Sequence, residues 1–183
     1  MPISATAVRM LLRPSPRRRS EPQVLTRLGL PVAAAIIAFD QATKFWLVLD
    51  IMSPPRIIEV TSFFNIVMVW NRGVSFGLFS SASPWTPVFL GSVAIVISIV
   101  LAVWMYRAKS RWLGAALGFL IGGALGNAID RAIYGAVADF FDFHASGYHW
   151  PAFNVADIAI FVGVVMLLFD GLLEKRRNNR LVR

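Results

Sequence analysis

Four long apolar stretches, separated by polar segments, dominate the pattern of this chain of 183 residues. They cover residues 28–49, 88–106, 112–129 and 155–173, and the second contains no charged residue. A helix needs about 20 predominantly apolar residues to cross the hydrocarbon core of a bilayer. The pattern therefore predicts an all-α membrane protein with four transmembrane helices, surrounded by membrane lipids.

The segment between the first two apolar stretches, residues 52–87, is too long for a simple connection. Residues 63–70 are rich in β-branched and aromatic side chains, and residues 74–79 are again mostly apolar. Asn71, Arg72 and Gly73 between them are typical of a turn. This pattern predicts a small β-hairpin, or cradle, between helices 1 and 2. Its apolar character indicates that it rests on the membrane surface.

Arginine and lysine flank the apolar stretches in three clusters: before residue 28, between the second and third stretches, and after the fourth. Residues 132–174 contain neither. Because positive residues favour the cytoplasmic side, both termini are expected in the cytosol and the hairpin outside. The net charge of +8 could also suit a nucleic-acid surface. Its placement beside the spans is explained better by membrane topology, so no nucleic-acid partner is predicted.

These patterns divide the chain into residues 1–26, a disordered basic cytosolic tail, residues 27–174, a four-helix membrane domain, and residues 175–183, a basic cytosolic tail. The Arg-, Ser- and Pro-rich start could instead belong to a signal or transit peptide. However, the span that follows contains Asp40 and Lys44 and ends without a small-residue cleavage site. An uncleaved tail is therefore favoured.

Composition agrees with a protein that is partly solvated by lipid. Only 15% of the residues are charged, against roughly 25% in an average soluble domain. The chain contains no cysteine, which excludes disulfides, thiolate nucleophiles and cysteine-based metal sites.

Glycines recur every four residues in the third apolar stretch, at Gly114, Gly118, Gly122 and Gly126. This spacing places them on one face of a helix, where a neighbouring backbone can approach closely. We therefore expect this face to pack against another span.

Ionisable residues at membrane depth are costly and usually functional. Asp139 lies just beyond the third span and Asp157 at the start of the fourth, so antiparallel helices would bring them to the same depth. Two carboxylates held close together share a proton, which suits general acid–base hydrolysis. Alternatives remain open for both: Asp139 could be a solvated loop acid, and Asp157 could serve the helix cap begun by Asn154.

Other polar residues have simpler interpretations. Asp130 and Arg131 are expected to form an ion-paired helix terminus with Asn127 one turn back, and Asp40 and Lys44, four residues apart, can pair on one helix face. His144 and His149 are expected to be surface or interfacial residues. A metal site is not predicted, since it would need the aspartates as additional ligands.

Five short motifs together resemble the lipoprotein signal peptidases (signal peptidase II). They are residues 40–44 (DQATK), 71–76 (NRGVSF), 122–131 (GGALGNAIDR), 137–140 (VADF) and 153–157 (FNVAD). Arg72 and Val74 are less typical of the second motif.

The resemblance implies an aspartyl protease of the bacterial inner membrane that cleaves prolipoproteins immediately before a diacylglyceryl-modified cysteine, without metal or organic cofactor. It assigns catalysis to Asp139 and Asp157 and a cradle beside the active site to the outer hairpin, and it maps Asn71, Asn127, Arg131 and Asn154 onto polar positions around the two acids. We expect substrate binding by these four residues together with Arg72 and Gly73 of the same outer-loop motif. We expect structural support from Asp40, Lys44 and Asp130.

A small proton- or ion-conducting membrane protein is the alternative, because it would use the same acids as relay sites. Relays usually place acids near the membrane midplane. Here only Asp40 lies near the middle of a span, which favours the protease.

Overall fold

The structure is a computed structural model that describes residues 22–73, 83–108 and 110–181. Its helices are α1 (Pro22–Trp46), which continues as a π-helical turn (Leu47–Ile51), α2 (Thr86–Tyr106), α3 (Arg111–Tyr134) and α4 (Val155–Leu181). Its strands are β1 (Ile58–Thr61), β2 (Phe64–Asn71), β3 (Val137–Ala145) and β4 (Tyr148–His149). Of the predicted tails, residues 1–21, 182 and 183 lie outside the described residues, and the division into tails and membrane domain stays a prediction.

The four predicted spans are confirmed as helices. Within the described residues, four segments are long and apolar enough to cross a membrane: Leu28–Ile51, Thr86–Tyr106, Arg111–Tyr134 and Val155–Leu172. The third is longer than its apolar stretch because Ser110 caps its start, accepting from the backbone N–H of Leu113 at 3.0 Å. It ends at Gly135, whose φ of +68° suits the left-handed C-cap.

Helix α3 is the centre of the bundle, and its glycine face packs against α1 as predicted. A methyl group added at Gly118 would lie 2.5 Å from the carbonyl oxygen of Gly29, and one at Gly122 would lie 2.7 Å from Cβ of Ile36. The glycines therefore allow the two helix backbones to approach more closely than any side chain would permit.

The predicted small sheet is present, and it is larger than one hairpin. Its strands lie in the order β1-β2-β3-β4, and all neighbours are antiparallel. Strand β2 matches the predicted segment at residues 63–70, but its partners are β1 before it and β3, which follows α3. The other predicted hairpin segment, residues 74–79, lies outside the described residues.

An apolar cluster fixes the sheet to the bundle. Leu47 from the π-helical turn, Phe140 from β3 and Val155 from α4 are buried together. Phe140 and Val155 flank the segments that carry Asp139 and Asp157. This cluster therefore joins those two segments to the end of α1.

Candidate active site

Asp139 and Asp157 line the same cavity, which has a volume of about 580 Å³. The cavity lies between α2, α3 and α4, and β3 closes the end nearest the sheet. Its other polar lining residues are Asn71, Asn127 and Arg131. Its apolar wall includes Leu90, Val93, Ile97, Phe161 and Val164. The two acids therefore face a chamber that is polar at the sheet and apolar towards the bundle.

Asp139 lies in β3 with 2% of its surface exposed, so the alternative of a solvated loop acid is wrong. Its carboxylate accepts hydrogen bonds from Asn71 Nδ2 at 3.0 Å and from Asn154 Nδ2 at 2.6 Å. Burial, the largest cause, and the charge of Asp157 together raise the pKa of Asp139 to about 7, against the opposing effects of the two amide hydrogen bonds and the charge of Lys44.

A bulge in β2 brings Asn71 to the face of the sheet that carries Asp139. Asn65 pairs with Asp142, but the register shifts between Ile66 and Val69, so that Asn71 pairs with Val137. Without this shift in register, Asn71 would pair with Ala136 and share the face of Asn65, opposite to Asp139, since side chains alternate along a strand. The bulge re-aims the amide towards the acid, as bulges beside functional sites often do.

Asp157 lies in the first turn of α4, where it both caps the helix and faces the cavity. The backbone N–H of Asp157 donates to Asn154 Oδ1 at 3.0 Å, and Asp157 Oδ2 accepts from the backbone N–H of Asn154 at 3.1 Å. This reciprocal arrangement is a capping box. Asp157 Oδ1 remains for Asn127, whose Nδ2 donates to it at 2.9 Å. Asp157 can therefore cap the helix with one carboxylate oxygen and face the cavity with the other.

Two amide side chains connect the acids. Asn154 Nδ2 donates to Asp139 and also to Asn127 Oδ1, at 3.1 Å. Asn127 in turn donates to Asp157. Their donors and acceptors form a continuous chain from one carboxylate to the other, which restricts both side chains to a single arrangement.

Behind this chain lies a buried ionic cluster. Lys44 Nζ is 2.9 Å from Asp40 Oδ2 and 2.9 Å from Asp130 Oδ2, so the predicted pairing of Asp40 with Lys44 is confirmed. The predicted pairing of Asp130 with Arg131 is wrong. Neighbours in a helix diverge by about 100°, so Asp130 points towards α1 while Arg131 lines the cavity.

The remaining predicted site residues are divided between the cavity and the surface. Arg131 donates to the backbone carbonyl of Gly73 at 2.9 Å and to that of Asn127 at 3.2 Å. The backbone N–H of Gly73 donates to Asn71 Oδ1 at 3.0 Å. Arg72, which lies between Asn71 and Gly73 in the sequence, is exposed. Arg131 thus holds the turn that follows β2 against the cavity.

The polar contacts of Gln41 and of Asp142 were not predicted from the sequence. Gln41 donates to both Asp40 and Asp130, at 3.1 and 2.9 Å, and its place within the first motif is the signal that could have shown it. Asp142 accepts from Asn65 and lies 2.9 Å from Nδ1 of the half-exposed His149. Within residues 22–73, 83–108 and 110–181, no cluster of three or more His, Asp or Glu could hold a metal ion.

Four helices that are long and apolar enough to cross a membrane, with a buried polar site beneath a small sheet, define the class as a multi-pass membrane protein. A solved structure described as a bacterial membrane enzyme, at 2.3 Å resolution, is 31% identical with a TM-score of 0.70, and the match covers 82% of this chain and 90% of that chain. A second such structure, at 1.9 Å resolution, has a TM-score of 0.68 at 31% identity, covering 79% and 92% of the two chains.

Sequence relatives identify the family. The profile of "Signal peptidase (SPase) II" matches residues 32–173. The lipoprotein signal peptidase of Rhodopseudomonas palustris (strain TIE-1) is 44% identical over 152 residues, which are 80% of this chain and 93% of that protein. That of Methylorubrum extorquens (strain PA1) is 49% identical over 149 residues, 80% and 86% of the two chains. The chain belongs to the signal peptidase II family, and it is a peptidase of the membrane.

Proposed function

We propose that this protein is an aspartyl endopeptidase that removes the signal peptide from diacylglyceryl-modified prolipoproteins, cleaving before the lipidated cysteine. The observation that carries the aspartyl assignment is the placement of Asp139 and Asp157 in one cavity, joined by the amides of Asn154 and Asn127. Family membership supports the prolipoprotein as substrate.

The proposed chemistry uses one proton shared by the two carboxyls. The ionised carboxylate takes a proton from water, whose oxygen attacks the scissile carbonyl carbon, while the neutral carboxyl donates its proton to the carbonyl oxygen. Collapse of the tetrahedral intermediate breaks the C–N bond, and a proton passes to the departing amine. Because the pKa of Asp139 is raised to about 7, this carboxyl can hold a proton in weakly acidic and neutral solution.

The polar residues around the pair suit substrate binding and orientation. Asn71 and Asn154 already donate to Asp139, so we assign them to orienting its carboxyl. Arg131 and Asn127 line the cavity and are assigned to the peptide backbone of the substrate. Arg72 and Gly73, at the turn after β2, are assigned to contacts at the cavity entrance. The apolar wall from α2 and α4 suits a hydrophobic signal peptide and acyl chains.

The proposed topology places the sheet and the acids at the outer face of a bacterial inner membrane, with both termini in the cytosol. The link between α2 and α3 contains Arg107 and Lys109, α3 begins at Arg111, and Lys175 begins a basic cluster near the end of α4. The sheet lies at the opposite ends of these helices. The positive-inside rule therefore supports an outward-facing site.

The direct test is cleavage of a diacylglyceryl-modified prolipoprotein by the purified protein in detergent. Asp139→Asn and Asp157→Asn are each expected to lower the rate by several orders of magnitude, because neither carboxyl can perform both steps alone. Asp50→Asn, which changes an exposed acid on the π-helical turn, is the matched control and should cleave normally. Normal cleavage by either variant of the pair would reject the aspartyl mechanism.

A further inference from the structure

The ammonium group of Lys44 lies at a point where contacts to both proposed catalytic segments converge. Its three protons have three acceptors: Asp40 Oδ2 at 2.9 Å, Asp130 Oδ2 at 2.9 Å and Asn127 Oδ1 at 3.0 Å. The side chain is 3% exposed. An ammonium group has only three donors, so this group is fully satisfied within the protein and has no donor left for substrate or water.

Each carboxylate bound by Lys44 also accepts a hydrogen bond from one backbone N–H. Each of these two N–H groups belongs to the residue immediately before a proposed catalytic acid. Asp40 Oδ1 accepts from the N–H of Ala156 at 2.9 Å, and Asp130 Oδ2 accepts from the N–H of Ala138 at 3.1 Å. Ala156 immediately precedes Asp157, and Ala138 immediately precedes Asp139. Both alanines are fully buried.

The bond to Ala156 also solves a problem of local structure. The first N–H groups of a helix have no partner within that helix. The capping box of Asn154 satisfies the N–H of Asp157, but the N–H of Ala156 receives its acceptor from a different helix, α1. Asp40 therefore fixes the start of α4, and Lys44 in turn holds Asp40 in place.

We propose that Lys44 is a positioning residue that sets the spacing of Asp139 and Asp157, by holding Asp40 and Asp130 as two clamps on the backbone immediately before each acid. This inference rests on the proposed function for its catalytic consequence, but the clamps themselves can be measured without activity.

Hydrogen exchange tests the clamps directly, because each held N–H should be protected. Lys44→Met is expected to accelerate exchange about tenfold or more in both segments 137–140 and 154–157, since charge-assisted hydrogen bonds are lost or loosened. Asp40→Ala should accelerate hydrogen exchange only in residues 154–157, and Asp130→Ala only in residues 137–140. Each of these two variants leaves Lys44 one carboxylate partner, which protects the protein against unfolding. Residues 93–100 in the middle of α2 are the internal control.

The pH dependence of the rate provides a second readout that a purely structural role would not change. The acidic groups that interact with the charge of Lys44 are Asp40 on α1, Asp130 on α3, Asp139 on β3 and Asp157 on α4. The charge of Lys44 lowers the pKa of Asp139, so Lys44→Met should shift the alkaline limb of kcat/KM to higher pH. It should also reduce kcat by about 100-fold, the scale expected for a small displacement of reacting groups. Lys44→Arg should recover most of both effects.

The outcomes separate this inference from the proposed function. If Asp139→Asn or Asp157→Asn cleaves normally, the aspartyl mechanism fails, whatever the exchange data show. If both variants are inactive but Lys44→Met exchanges like the wild type in either segment, or keeps its pH profile, the positioning role of Lys44 is rejected.

Discussion

Asn154 and Asp157 form a capping box at the start of α4, and Nδ2 of Asn154, which takes no part in that box, donates to Asp139 at 2.6 Å. One asparagine therefore begins the helix with its oxygen and orients the opposite acid with its nitrogen. These two contributions can be separated by substitution.

Asn154→Ser is expected to keep the helix cap and lose the bond to Asp139. Serine is as good an N-cap as asparagine, so the melting temperature in detergent should fall less than that of Asn154→Ala, although both variants lose the Nδ2 bonds to Asp139 and Asn127. Loss of a hydrogen bond to a charged group corresponds to roughly 1.5–3 kcal/mol, so kcat/KM should fall about 10- to 100-fold. Asn154→Ala, which also removes the cap, should lose about 1 kcal/mol of stability in addition. Equal activity of Asn154→Ser and wild type would contradict this division.

The bulge in β2 makes a prediction about Asn71. Deleting Met68 removes the extra residue but leaves Asn71 paired with Val137, on the face of Asp139. We therefore expect cleavage by the deletion variant to stay closer to the wild-type rate than cleavage by Asn71→Ala, which loses the bond to Asp139. Adding Asn71→Ala to the deletion should lower the rate about as far as it does in the wild-type background, because the contact is present in both. Melting curves of all variants control for loss of the sheet, and a folded deletion variant as slow as Asn71→Ala would show that the bulge itself is needed to place the amide.

The sequence predicted the spans well because bilayer thickness imposes a length that local composition reveals. Contacts between distant segments were harder. Strand β3 was not predicted, since its longer partner, β2, lies about 70 residues earlier in the chain. Asp130 was paired with Arg131 because they are adjacent in sequence, whereas its partner Lys44 is on another helix. The relation of Asn71 to Asp139 depends on a bulge that no local pattern indicated.

The raised pKa of Asp139 predicts the shape of the pH–rate profile. The charge of Asp157 is one cause of this increase, so the value of about 7 describes loss of the last proton shared by the pair. As pH rises through about 7, the general acid disappears and kcat/KM should fall. At sufficiently low pH both carboxyls are protonated and no base remains, so the profile should be bell-shaped. A rate constant that does not change between pH 5 and 9 would contradict the shared proton.

The same pKa has a consequence for stability. Because the folded-state pKa of Asp139 lies above its ordinary value of 3.8, the favourable contribution of this group is fully present below about pH 4. It is lost as pH rises through about 7. Asp139→Asn cannot ionise, so its melting temperature should decline less between pH 5 and pH 8 than that of the wild type. Parallel declines in the two proteins would show that Asp139 titrates normally.

The glycine face of α3 connects helix packing with the polar site. A methyl group at Gly122 would approach Cβ of Ile36 to 2.7 Å and the carbonyl oxygen of Ala33 to 2.9 Å, whereas one at Gly171 would meet nothing within 4 Å. Gly122→Leu should therefore push α1 away from α3 and destabilise the protein by about 1–3 kcal/mol or more, while Gly171→Leu should leave the melting temperature unchanged. Since α1 contributes Lys44 and α3 contributes Asp130, this separation should also reduce cleavage. Wild-type activity in a destabilised Gly122→Leu protein would show that the ionic cluster tolerates displacement of α1.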